Sequence, residues 1–164
     1  MLELHEELTP GDAARIHALT TATGFFTAEE AAIAQELAEE QLTRGAASGY
    51  HFLLAEEAGE LLGFVCFGPI PCTRGAYDLY WIVVRPDRQG GGLGRLLLAA
   101  AEARMAATGG LRVYIDTSSR PQYAPTRAFY RACGFDQEAL LADFYDHGDG
   151  KVIFCKVLDP TSHR

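Results

Sequence analysis

A cluster of four glycines, Gln89-Gly90-Gly91-Gly92-Leu93-Gly94-Arg95, stands between two runs of opposite character. Before it, Tyr77–Val84 is rich in aromatic and β-branched residues and predicts a strand. After it, apolar residues at Leu96, Leu97, Ala100 and Ala103 predict a long helix to about Thr108. Glycines let consecutive backbone N–H groups point at one spot, and a helix N-terminus adds partial positive charge, so the pair makes a cradle for an anion. Two common phosphate patterns fail here. A dinucleotide G-x-G-x-x-G read from Gly92 needs Gly or Ala where Leu97 stands, and a phosphate loop read from Gly90 needs Gly-Lys where Arg95-Leu96 stand. The pattern Q/R-x-x-G-x-G/A does fit, as Gln89-x-x-Gly92-x-Gly94. On these residues alone, a flexible strand-to-helix turn remains the alternative.

The rest of the chain supplies a setting for that unit. Leu2–Glu7 reads as a first edge strand. Thr9-Pro10-Gly11-Asp12 combines an N-cap, a proline at the first helical position and an early acid, opening a helix to about Ala22. Thr27-Ala28-Glu29-Glu30 is a capping box for a second helix ending near Gly45, with Ile33, Leu37 and Gln41/Leu42 as its apolar stripe. His51–Glu56, a turn at Ala58-Gly59-Glu60, and Leu61–Gly68 predict a hairpin. Leu111–Thr117 predicts a strand, Pro125–Cys133 a short helix stopped by Gly134, and Phe135–Phe144 with Val152–Leu158 a last hairpin. The order predicts an α/β (α+β) fold, a mixed and mostly antiparallel sheet of six to seven strands flanked by about four helices. With no repeat or Ser/Pro linker, one domain over residues 1–158 with a short tail at 159–164 is expected.

Length and composition narrow the function. A chain of 164 residues, 48 % apolar, can bury about 70 % of its unfolded surface without a disulfide or metal. Its net charge of −8 argues against non-specific binding to nucleic acid or an anionic membrane. The charge is uneven, however. Residues 1–60 hold 12 acids and 2 bases, whereas residues 85–131 hold 8 bases and 3 acids. The acidic N-terminus lacks a signal-peptide layout, and no apolar run approaches bilayer length. Cys66, Cys72, Cys133 and Cys155 show no metal-ligand spacing, so reduced, mostly buried thiols, a cytoplasmic location and no metal are expected.

Two motifs carry a resemblance to a known family. Val84 to Leu98, with Gln89-x-x-Gly92-x-Gly94 at its centre, resembles the acetyl-CoA signature of the GNAT superfamily of N-acetyltransferases. Phe129-Tyr130-x-x-x-Gly134-Phe135 resembles the second signature of that superfamily. The likeness covers essentially residues 1–158, strong over Tyr77–Phe135 and weak in the first 50 residues. It implies a GNAT fold with a splayed central strand pair, and acetyl-CoA as cofactor.

The resemblance also implies roles for particular residues. Pantetheine would pair with the exposed backbone of Ile82, Val83 and Val84, a form of strand addition. The pyrophosphate would rest on the amides of Gln89, Gly90, Gly91, Gly92, Leu93, Gly94 and Arg95. Arg88 and Arg95 would supply charge there, or stand as solvated surface residues. Tyr130 matches the tyrosine that protonates the departing thiolate; packing against the sheet is the alternative. Seven residues earlier, where the family often carries Asn, this chain has Tyr123, so Tyr123 and Thr126 are candidates to line the pantetheine channel. Asp78 falls where many relatives carry a strand Glu that acts as base; a structural hydrogen bond is the alternative. His51 and His147 are lesser candidates for the same role.

The acceptor would enter opposite CoA, near Phe26, Tyr80, Tyr145 and Asp146. Acids mixed with aromatics suit a cationic amine, although Phe26 also reads as core and Asp146–Gly150 as a polar turn. The resulting expectation is an enzyme that transfers an acetyl or short acyl group from CoA to a primary amine of a small molecule or peptide, by direct attack in a ternary complex. A non-catalytic acyl-CoA-binding or sensor module is the alternative, and the fold's tendency to pair leaves a homodimer open. The basic segment would face anionic CoA and the acidic segments a cationic amine, as two opposed surfaces.

Overall fold

The computed structural model describes residues 1–158; the expected tail at 159–164 lies outside the described residues. Seven strands and four α-helices follow in the order β1 (Leu2–His5), α1 (Asp12–Ala22), α2 (Ala28–Arg44), β2 (His51–Glu57), β3 (Glu60–Pro69), β4 (Ala76–Val84), α3 (Leu93–Ala107), β5 (Arg112–Ser118), α4 (Ala124–Ala132), β6 (Asp136–Asp146) and β7 (Asp149–Val157). The sheet order is β1-β2-β3-β4-β5-β7-β6. The β1–β2, β2–β3, β5–β7 and β6–β7 pairs are antiparallel, and β4–β5 is parallel. This is the mixed, mostly antiparallel sheet with four helices that the element order predicts.

The β4–β5 register covers only Ala76↔Arg112, Tyr77↔Val113 and Asp78↔Tyr114. Beyond those pairs β4 runs on through Leu79–Val84. The described residues condense into two compact units, Met1–Gly68 with Leu79–Arg104, and Pro69–Asp78 with residues 105–158. In the first, Ile16, Leu19, Ala34, Ala38, Phe52, Phe64 and Val83 form a buried core, with Phe26 and Trp81 packed against it. In the second, Met105, Val113, Ile115, Phe135 and Phe154 are buried.

Local chemistry explains most boundaries. The β2–β3 turn has Ala58 and Gly59 both at positive φ between the paired Glu57 and Glu60, the backbone that a two-residue hairpin loop favours. The capping box at α2 forms, with Glu30 N–H donating to Thr27 Oγ1 at 3.1 Å and Thr27 N–H to Glu30 Oε2 at 2.7 Å. The first helix differs from expectation. It begins at Asp12, and the buried Asp12 carboxylate reaches back to accept from Thr9 N–H at 2.7 Å and Thr9 Oγ1–H at 2.9 Å. Arg15 Nη1 then bridges Asp12 at 2.7 Å and Glu56 at 2.8 Å, tying α1 to β2.

Two apolar stripes are displaced. On α2 the buried residues are Ala31, Ala34 and Ala38, whereas Ile33 is 43 % exposed and Leu37 and Leu42 only flank the core. Small side chains let the helix axis approach its neighbours, so the tightest line on the helix is alanine. On α3 the buried face is Leu93, Leu97, Leu98, Ala101 and Met105, and Leu96 turns outward. That face meets β3 at Gly63, where a Cβ would lie 2.9 Å from Val83 O and 3.0 Å from Leu97 Cδ1. The first strand stops at His5, two residues short of expectation, β6 runs on to Asp146, and Cys72 is exposed while Cys66 and Cys155 are buried.

Candidate active site

The glycine turn is built from the end of β4. Arg85 N–H donates to Leu62 O at 2.8 Å, a short 3-10 turn covers Pro86–Arg88, and Gln89 Nε2 donates back to Val84 O at 3.0 Å. The Gln89 side chain therefore closes the turn. Gly90 and Gly92 follow at φ +79° and +89°, a left-handed backbone that favours glycine. Where a Cβ would project from either, nothing lies within 4 Å. The bond from Leu96 N–H to Gly92 O, 3.0 Å, opens the regular ladder of α3. The amides of Leu93 and Gly94 precede it, in the turn where helical N–H groups have no partner within the helix. Gln89, Gly91, Gly92, Leu93 and Leu96, with Glu57, Asp87 and Arg88, line a depression of about 300 Å³. The Leu93 side chain is buried, so only its backbone is presented. Arg88 is bound by Glu57, and Arg85 by Glu60 at 2.7 Å and Asp87 at 2.6 Å. Arg95 is exposed.

Along β4 the side chains alternate. Val83 is buried and Trp81 packs on the core, whereas Tyr80 is exposed and Ile82 and Val84 are half-buried. Phe26 meets Trp81 edge-on at 5.0 Å, and Tyr80 meets Tyr50 edge-on at 5.4 Å. Because Tyr80 and Trp81 are consecutive on a strand, these two aromatic pairs take opposite faces. Phe26 and Tyr80, grouped from sequence, are thus not brought together. His51 stacks on Phe67 at 5.6 Å.

In the second unit, Tyr130 lies on α4 with its ring 5.6 Å from Phe129, 6.1 Å from Phe135 and 5.8 Å from Phe154. Burial raises its pKa well above the usual phenol value, followed by a smaller effect of Cys133, so its phenolate form is disfavoured. Tyr123 precedes α4 and donates its N–H to Arg120 O at 3.0 Å; Thr126 sits half-buried in the helix's first turn. The segment before them is pinned by Arg127, whose Nη1 donates to Ser118 O at 2.8 Å and Arg120 O at 2.9 Å. Ser118 Oγ donates to the buried Asp149, which also faces Arg120 Nε at 3.2 Å.

Asp78 ends the paired part of β4 and is half-buried. Burial raises its pKa, Asp116 on β5 raises it further, and Lys151 on β7 partly offsets both. Lys151 Nζ is 3.1 Å from Asp116 Oδ2 and 4.5 Å from the centre of the Phe144 ring. Tyr145 is 48 % exposed, and its phenol is raised by burial and by Asp116, Asp149 and Tyr123. Asp146 accepts from His147 N–H at 2.7 Å and lies 3.9 Å from Arg120, so its carboxylate serves the β6–β7 turn. His147 is fully exposed at the same turn. Sequence reading missed Asp116, Lys151, Tyr50 and Trp81. Strand alternation marks Asp116 as facing away from Ile115 and Thr117, but its neighbours follow only from register.

Comparison with known proteins adds four likenesses. The model of the Acetyltransferase (GNAT) family matches residues 14–135. A structure from Desulfovibrio desulfuricans, of a protein assigned to the GNAT family of acetyltransferases, is 46 % identical. That match has a TM-score of 0.95 and covers 97 % of this chain and 100 % of that one. An aminoglycoside 6′-N-acetyltransferase in complex with coenzyme A shares the fold, with a TM-score of 0.76, 17 % identity and 98 % of each chain covered. A mycothiol acetyltransferase from Streptomyces bingchenggensis is 36 % identical over 75 residues, 44 % of this chain and 24 % of that protein. The match thus spans about a quarter of that curated relative.

Proposed function

Because the chain belongs to the Acetyltransferase (GNAT) family, we propose that it transfers an acetyl or other short acyl group from CoA to a primary amine of a small molecule or peptide. The observation that carries this reading is the glycine turn at the head of α3. Gly90 and Gly92 are held at positive φ over open space, beside amides that helix geometry leaves to an external acceptor. A side chain at either position would intrude where an anion approaches, so the turn fits the phosphates of CoA. Acetyl-CoA, when bound, supplies the acyl group as an activated thioester.

The chain's own residues supply the rest. The amides from Gly90 to Gly94 hold the phosphates, the Gln89 N–H being directed at Pro86 O at 3.4 Å, and the backbone of Ile82, Val83 and Val84 offers strand-like hydrogen bonds to pantetheine. Tyr123 and Thr126 line the channel. Tyr130, whose phenolate form is disfavoured by burial, donates a hydrogen bond or proton where thiolate charge develops. Asp78 takes a proton from the acceptor ammonium, directly or through water, since a protonated amine is no nucleophile. For the acceptor, Tyr80 and Tyr145 each offer an exposed ring to a cation, whereas Phe26 packs on the core and Asp146 is held in the β6–β7 turn. Attack is direct, in a ternary complex, and the free cysteines fit a reducing cytoplasm.

Thiol release from acetyl-CoA, followed with a panel of polyamines, aminoglycosides, peptides and amino acids, tests the reading. Amine-dependent release with an acetylated product by mass spectrometry is expected. Stoichiometric CoA binding with no turnover on any amine would overturn it in favour of an acyl-CoA-binding module.

A further inference from the structure

Three strands of the second unit bring Asp78, Asp116 and Lys151 to one face. Asp78 stands opposite Tyr114 on the parallel strand β5. Register partners share a face, and alternation returns Asp116 to that face two residues later. On β7, Ile153 stands opposite Asp116, and Lys151 returns to the same face two residues earlier. The closing contact is the ion pair of Lys151 Nζ with Asp116 Oδ2 at 3.1 Å. The Phe144 ring of β6 covers the ammonium at 4.5 Å, so carboxylate and ring face together hold it in place.

Two carboxylates on one face repel. An ammonium among them relieves that repulsion. The groups that face Asp78 are Asp116 from β5 and Lys151 from β7. From β6, Tyr145 faces Asp116 and Asp149, and Asp149 is itself engaged by Ser118 and Arg120. Lys151 is therefore the cation that balances the Asp78–Asp116 pair.

We propose that Lys151 is a positioning residue for Asp78: clamped by Asp116 and Phe144, its ammonium favours the ionised form of Asp78, the form able to take the acceptor's proton. The second half of this proposal rests on the reading of Asp78 as the base.

The test is a carbon-detected NMR titration of the Asp78 carboxyl in the full chain without acyl donor, its signal assigned by Asp78→Asn. Lys151→Met is expected to move the Asp78 midpoint up by roughly half to one pH unit, and Asp116→Asn to move it down. Lys151→Arg, which keeps the charge, should leave it near the wild-type position. The acid limb of the kcat/KM profile should follow the midpoint in each variant while CoA affinity by calorimetry stays constant. If Lys151→Met fails to fold, Lys151→Gln retains most of the stem and carries the same expectation. An Asp78 midpoint indifferent to removal of the Lys151 charge would overturn the proposal. A midpoint that moves while the acid limb stays put would uphold the control of charge and overturn Asp78 as base.

Discussion

Tyr130 is walled by Phe129, Phe135 and Phe154, so its phenol meets rings where an exposed tyrosine would meet water. That environment penalises the phenolate, which suits a hydroxyl that donates a hydrogen bond to developing thiolate charge more than one that attacks. Packing and chemistry are therefore not rivals at this position: the burial that makes Tyr130 a core residue also favours its neutral, donating form. Tyr130→Phe preserves the ring contacts and removes only the hydroxyl. It should leave the unfolding midpoint within about 1 kcal/mol of wild type and leave CoA affinity unchanged. The same variant should lower kcat on the order of a hundredfold, the low end for loss of a general acid. Steady-state kinetics beside calorimetry separates the two effects, and an unaltered kcat would remove Tyr130 from catalysis.

At the scale of elements, the turn into α3 combines a conformational demand with an open surface. Gly92 sits at φ +89°, where an L side chain costs about 1–2 kcal/mol, and its Cβ direction is empty. Gly92→Val should therefore weaken CoA binding at least tenfold by calorimetry while the far-ultraviolet dichroism of the chain is retained. Equal affinity would refute the turn as the phosphate cradle. This strand–turn–helix unit was legible in the sequence because glycines, a strand run and a helical run are local signals. The α2 capping box and the Ala58-Gly59 hairpin were legible for the same reason. The stripes of α2 and α3 were not, since apolar periodicity favours Ile33 and Leu96 as the larger residues, while close packing selects Ala34, Ala38, Leu97 and Leu98. The setting of Asp78 was half legible. Its strand position could be read, but Asp116 and Lys151 reach it through cross-strand register, which no local pattern encodes.

The charge of the whole molecule now has a different meaning from the one its blocks suggest. Basic residues 85–131 and acidic residues 1–60 were expected to form opposed surfaces. Instead, within the first unit, Arg85 pairs with Glu60, Arg88 with Glu57 and Arg104 with Glu6. Acids of residues 1–60 thus neutralise arginines that follow β4, and an anion near the glycine turn competes with Glu57 for Arg88. Both line the same depression beside Gly91 and Gly92. Removing the Glu57 charge should release Arg88 toward that anion and remove a repulsion at once. In about 20 mM salt, Glu57→Gln should bind CoA several-fold more tightly than wild type by calorimetry. In about 0.5 M salt, where screening acts over only a few ångströms, the difference should largely vanish. Adding Arg88→Ala should cancel most of the low-salt gain, because the gain depends on a free guanidinium. If Glu57→Gln binds CoA no better at low salt, the Glu57–Arg88 pair is a surface contact without influence on the cradle, and the phosphates are held by the backbone amides alone.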